Sequence, residues 1–156
     1  MELHFEPITE ENRKEAEALS PAPGQENYIE SVADCMREAD ERDSWRPLGI
    51  YDGSTLVGFA MYGFFQEYLP AGRVWLDRLL IDRHFQHRGY GQIAVSCLLN
   101  RIWKEYGCSK ISLSVYSDNT AAINLYRKLG FAFNGELDLK GEKVMVCHSR
   151  GWSAEP

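Results

Sequence analysis

The 156-residue chain is expected to form one α/β (α+β) domain of about seven strands and four helices. Its length is the first reason: 156 residues, 44% of them hydrophobic, close one core of ordinary size and leave little for a second. The order of periodicities is the next, β α α β β β α β α β β along the chain. A third is a pair of apolar segments, each interrupted by turn residues in the manner of a hairpin.

Leu3 to Pro7 alternates and reads as a first strand, after which Thr9 is placed to cap a polar helix running to about Leu19. SPAPGQ, residues 20–25, breaks the chain. Ile29, Val32, Met36 and Ala39 then recur at helical spacing, which predicts a second helix over about Tyr28 to Asp40. In PLGIYDGSTLVGFAMYGFF two apolar runs flank Asp52-Gly53-Ser54, a hairpin signal. Pro70 to Gly72 interrupts again, and RVWLDRLLI gives a strand from about Arg73 to Ile81. After FQHRGYGQIA comes a helix from about Gly91 to Tyr106, with Ile93, Val95, Leu98, Leu99, Ile102 and Trp103 on its apolar face and Gly107 at its end. KISLSVY alternates as a strand to Tyr116, SDNTAAINLYRKLG supplies a cap, a helix and a terminal glycine, and FAFNGELDLKGEKVMV closes with a hairpin.

Twenty-three acidic against 17 basic side chains leave a net charge of −6, which disfavours nucleic acid as a partner and is compatible with a cationic substrate. Cys35, Cys97, Cys108 and Cys147 show no C-x-x-C spacing, and three of them sit inside apolar patterns. Reduced structural thiols, a cytoplasmic location and no metal site are the expectation. MELHFEPITEENRKEAEAL lacks a charged start leading into an apolar run, so no signal peptide is expected. No stretch approaches about 18 uninterrupted apolar residues, so no membrane span is expected either.

Two glycines beside a histidine and an arginine, at a strand-to-helix turn, read as a phosphate site: bare backbone bends sharply there, and a helix start offers unpaired N–H groups. The letters fit both Gln86-x-x-Gly89-x-Gly91, an acyl-CoA diphosphate loop, and Gly89-x-Gly91-x-x-Ala94, a dinucleotide fingerprint. The element order disfavours the second. Three strands precede the loop, and about 20 positions on, where an acidic residue would meet a ribose, stand Ile111 and Ser112, with Asp118 too late.

The strand WLDRLLID, the Gln86-x-x-Gly89-x-Gly91 loop with its helix, and the later block SDNTAAINLYRKLGF together resemble the GNAT superfamily of N-acetyltransferases over essentially the whole chain. More narrowly, YIES, VGFAMYG, RVWLDR and GFAFNGELDLKGEKVM look like bacterial spermine/spermidine, or diamine, N-acetyltransferases. One departure is Asp82-Arg83-His84, where many members carry a proline. The resemblance implies a GNAT domain over residues 1–149, followed by a tail of residues 150–156. It also implies a mixed, mostly antiparallel sheet splayed between the fourth and fifth strands, usually beside a bulge in the fourth.

By that resemblance acetyl-CoA is the co-substrate. Leu79, Leu80 and Ile81 would supply the strand edge for its pantetheine arm, while Gln86, His87, Arg88, Gly89, Tyr90, Gly91 and Gln92 would surround its diphosphate. Asn119 either caps its helix or reaches the CoA arm. Tyr126 matches the family's usual acid for the leaving thiolate, and an N–H of the fourth strand, nominally that of Leu80, its usual donor to the oxyanion.

An alkyl ammonium must lose a proton before it attacks a thioester. Asp77, a costly mid-strand carboxylate, is either the base or the partner of Arg73 or Arg78, with Glu67 and Glu30 in reserve. A polyamine would need several spaced carboxylates: Glu30, Asp34, Glu67 and Asp77, extended by Glu136, Asp138 and Glu142. Taken singly, each also fits a solvated surface charge. Tyr28, Trp75 and Tyr116 are candidate ring faces for a cation or ordinary core residues. A small-molecule polyamine is therefore the expected partner, and similar enzymes are often homodimers. The rival readings are an acetyltransferase for another amine (a protein N-terminus, lysine or aminoglycoside) and a non-catalytic acyl-CoA-sensing module.

Overall fold

The computed structural model describes residues 2–26, 30–67 and 72–149. The helices are α1 (Arg13–Glu17), α2 (Val32–Glu41), α3 (Tyr90–Tyr106) and α4 (Thr120–Lys128). β1 (Leu3–Pro7), β2 (Trp45–Asp52), β3 (Thr55–Phe65), β4 (Arg73–Ile81), β5 (Lys110–Val115), β6 (Ala132–Leu137) and β7 (Lys143–His148) form one sheet in the order β1-β2-β3-β4-β5-β7-β6. The parallel pair is β4 with β5, and the other neighbours run antiparallel, so this is the mixed, mostly antiparallel sheet expected of the GNAT fold.

The central strand explains the layering. β3, TLVGFAMYGFF, is buried along nearly its whole length, as a strand covered on both faces must be. Its alternate side chains enter two cores. Val57, Ala60 and Tyr62 face α3, whose Ala94, Val95, Leu98, Leu99 and Ile102 recur at helical spacing and are fully buried. Phe59 and Met61 face Ala16 of α1 and Val32, Cys35 and Met36 of α2. Truncating a side chain such as Leu98 would cost about 2–5 kcal/mol.

Two strand irregularities position the site. On one side of β4, the register with β3 jumps from Met61↔Arg78 to Tyr62↔Leu76, so Asp77 is the unpaired residue of a bulge. On its other side, β4 meets β5 at the Trp75↔Ser112 bridge, and beyond that point the strands part.

Local chemistry shifts both N-terminal helices. α1 starts at Arg13, because Asn12 turns its amide back to the Pro7 carbonyl and receives the Thr9 N–H on Oδ1; Thr9 makes a turn rather than the cap. α2 starts at Val32 after Ser31, whose hydroxyl accepts the Asp34 N–H as a serine N-cap does. Glu30 therefore precedes the helix instead of sitting one turn from Asp34 on it, and Tyr28 and Ile29 lie outside the described residues. The four cysteines are free thiols. Among the described residues no helix is long and apolar enough to cross a membrane, and no cluster of three His, Cys, Asp or Glu side chains is arranged for a metal.

Candidate active site

The parting of β4 from β5 opens a cleft of about 620 Å³. One wall is backbone. The Asp82 N–H bonds the Val57 carbonyl, and Phe59↔Leu80 continues that register, so strand alternation turns the Leu80 amide toward β3. Leu79 and Ile81 accordingly present their N–H and C=O groups to the gap. The amides that face the gap are thus those of Leu79 and Ile81, and that of Leu80, the nominal expectation, faces β3.

Beyond Ile81 the chain takes a path that Asp82 fixes. Its buried carboxylate accepts the Ser20 N–H at 2.9 Å, the His84 N–H at 3.2 Å and a contact from His84 Nδ1 at 2.8 Å, closing a short 3-10 turn over Arg83–Phe85. The departure from proline at this point is therefore a clamp between β4 and the segment after α1. Gln86 donates Nε2 to the Ile81 carbonyl at 3.0 Å and lines the cleft.

The loop into α3 then adopts a conformation that ordinary residues avoid. His87 has φ 63°, the only non-glycine with positive φ among the described residues, and Gly89 follows at φ 82°. A Cβ at Gly89 would meet nothing within 4 Å, so the space above it is open. Gly89 stands at the N-cap of α3 with no side chain capping its first turn. That leaves N–H groups and the positive end of the helix dipole facing outward. Arg88 lies over the Phe85 ring at 5.6 Å. Tyr90, by contrast, is buried and donates its hydroxyl to Asp52 at 2.6 Å, so only its backbone belongs to the loop's outer face. Gly91 packs toward Leu125 of α4, and Gln92 follows in the helix's first turn.

The opposite wall comes from β5 and α4: Ser114, Val115, Tyr116, Asn119, Ala122 and Tyr126. Asn119 accepts the Ala122 N–H, so capping is one of its roles, and it also borders the cleft. Tyr126 packs edge-on against Phe131, and burial pushes its phenol up to about 12.

Carboxylates gather at the bulged end. Glu30, Asp34, Asp77, Glu142 and Glu26 line the cleft, with Arg78 and Lys140 the cations among them. Arg78, whose side chain is 14% exposed, is the hub: it pairs with Asp77 and with Glu30 at 2.9 Å, and stands 3.8 Å from Glu38. Burial pushes Asp77 above the usual carboxylate range, with Arg78 pulling against it. Burial acts on Glu30 in the same sense, but Lys140 and Arg78 outweigh it and hold that carboxyl low. Asp34 pairs with Arg37.

Glu67 is elsewhere: it pairs with Arg42 at 2.7 Å and borders neither this cleft nor the smaller hollow beside it. Glu136 is taken up by Arg73 at 3.0 Å, and Asp138 spends its carboxylate on the Lys140 and Glu142 amides. Trp75 and Asp138 border the smaller hollow rather than the cleft. Lys140 is not among the site residues expected from sequence, and Arg78 is expected there only as a partner for Asp77. The signals available were Arg78's place next to a mid-strand aspartate and Lys140's place inside a D-x-K-G turn.

The Acetyltransferase (GNAT) family matches residues 6–131. A probable spermine N(1)-acetyltransferase of Bacillus subtilis subsp. natto (strain BEST195) is 44% identical over 149 residues, 94% of this chain and 98% of the relative. The spermine/spermidine N(1)-acetyltransferase of Bacillus subtilis (strain 168) is 43% identical over the same shares. In overall shape the chain is similar to AAC(6')-Ib in complex with Parmomycin and AcetylCoA. That likeness has a TM-score of 0.81 at 18% identity, covers 99% of this chain and 100% of that one, and speaks for the fold. Sheet order, splayed strands and a match over most of its length agree: this chain is an enzyme of the GNAT acetyltransferase family.

Proposed function

We propose that the enzyme transfers an acetyl group from acetyl-CoA to a primary amine of spermine, spermidine or a related diamine, by direct attack with both substrates bound. The observation that carries this reading is the two-sided cleft: the β4 backbone that faces the gap forms one wall, and the lining carries five carboxylates against two cations. The 44% identity to a probable spermine N(1)-acetyltransferase over nearly the full chain supports the acceptor class.

GNAT enzymes use acetyl-CoA, and the residues here suit it. The open space over Gly89, the uncapped start of α3 and the gap-facing groups of Leu79 and Ile81 offer polar backbone to such a ligand, and Gln86 carries the loop to the lining of the cleft. Gln86 through Gln92 would hold the diphosphate, and Asn119 would border the pantetheine arm. Bound there, acetyl-CoA supplies an acyl group already activated as a thioester.

The chain's own residues manage charge and protons. Glu30 and Asp34 draw an ammonium into the cleft by charge attraction. Asp77 takes the proton from the attacking ammonium, directly or through water, and its raised value makes it a better base than a surface aspartate. The Leu79 or Ile81 N–H meets the negative charge that develops on the acyl oxygen. As the new C–N bond forms and the C–S bond breaks, the neutral Tyr126 phenol gives its proton to the departing sulfur, and the proton that the new amide nitrogen sheds restores the phenol.

Thiol release measured against a panel of amines tests the assignment. Spermine and spermidine should give the highest kcat/KM. Turnover with peptides or aminoglycosides but not with polyamines would overturn the acceptor class, and acetyl-CoA binding without transfer to any amine would favour a sensing module.

A further inference from the structure

Lys140 occupies a position that the catalytic reading leaves unused. Its ammonium stands 3.0 Å from Glu30 Oε1, the same oxygen that Arg78 meets at 2.9 Å. It borders both the cleft and the adjoining hollow of about 250 Å³, which lies across Asp77 and Arg78 and has Trp45, Phe65 and Trp75 in its walls.

The turn that carries Lys140 is held from within. Asp138 accepts the Lys140 N–H at 2.9 Å and the Glu142 N–H at 2.8 Å, and its own N–H bonds the Glu142 carbonyl at 2.8 Å. The β6–β7 tip thus presents a primary ammonium on a four-carbon stem to a carboxylate of the acceptor end. That is the chemistry of the expected substrate, supplied by the protein itself.

Resting on the polyamine reading above, we infer that Lys140 is a specificity-determining residue: its ammonium holds Glu30 until an acceptor presents a second ammonium to displace it. A diamine or polyamine replaces the internal ion pair with an equivalent one. A monoamine, whose single nitrogen is at the reacting end, has nothing to offer Glu30. The competition is mild enough to be reversible, because the Lys140 side chain is 65% exposed and such pairs are worth little in water. Its proton stays on, since the hydrogen bond to Glu30 raises its value.

Steady-state kinetics of K140Q tests this, with K104Q, on the far end of α3, as a control for loss of one positive charge. The competitor role predicts that KM for spermidine falls about two- to fivefold in K140Q, while kcat and KM for acetyl-CoA stay unchanged. The smallest response should come from butylamine, and K104Q should match the parent. An unchanged or raised KM for spermidine, or an equal fall in both variants, would overturn the inference and leave Lys140 as a brace for the β6–β7 tip. If the parent enzyme takes peptides and no polyamine, the acceptor reading fails first and this inference with it. If the parent takes spermidine and the variant does not improve, only the inference fails.

Discussion

The two ends of the cleft are made of different material. The end toward α3 is backbone: the gap-facing amides of Leu79 and Ile81, a loop that enters positive φ at His87 and again at Gly89, and a helix start without a side-chain cap. The bulged end is side chains: Glu30 before α2, Asp34 within it, Asp77 and Arg78 from β4, and Lys140 and Glu142 from the β6–β7 turn. A backbone site reads a group shared by every acyl-CoA. A side-chain site can be retuned one residue at a time, which suits the half of the reaction that must choose among amines.

Substitutions that act on one end alone would sharpen that contrast. The largest effect is expected from Tyr126→Phe, where the two ends meet. Losing the proposed proton donor should lower kcat about a hundredfold or more, with CoA affinity by calorimetry retained; unchanged turnover would remove Tyr126 from the chemistry. Because burial pushes that phenol up to about 12, it stays neutral at working pH and gives kcat no alkaline fall below about pH 10. The stability consequence has a definite sign. A folded-state value raised above the ordinary 10 stabilises the fold fully below about pH 10, and that contribution is lost as pH rises toward 12. Tyr126→Phe should therefore flatten the alkaline end of a melting-temperature profile.

A smaller effect, confined to the other end, is expected from Gly89→Glu. A side chain at φ 82° costs about 1–2 kcal/mol, and its carboxylate would face the phosphates from open space. The dissociation constant for CoA should rise about tenfold or more, while protection by spermine against thermal unfolding is preserved. Intact CoA affinity would place the diphosphate elsewhere.

How much of this was legible in the sequence differs between the same two ends. Backbone devices announce themselves locally: Gly89 and Gly91 before an apolar helix, Asp52-Gly53-Ser54 between two apolar runs and Gly107 after a last turn all stand where the structure uses them. Asp77 stood out as a mid-strand carboxylate, and the bulge supplies the reason it is tolerated. The acceptor end was less legible because proximity there is tertiary. Glu30 and Lys140 are 110 positions apart and meet only because the β6–β7 turn comes down on the segment before α2. Glu67 matched the pattern as well as Glu30 did, yet Arg42 draws it away from the cleft. Apolar periodicity likewise carried the second helix back across Ser31, where a hydroxyl cap stops it, and Leu80 was nominated without the strand phase that turns its amide away.

The central claim is that one cleft brings a backbone-held acyl donor to a carboxylate-held amine. A crystal structure with CoA and spermine bound tests it most directly. The account predicts the thiol between β4 and β5 on the Tyr126 side, a primary amine of spermine against Asp77, and a second ammonium at Glu30 with Lys140 displaced. Spermine bound at Glu67, or CoA bound outside the parting of β4 and β5, would contradict it.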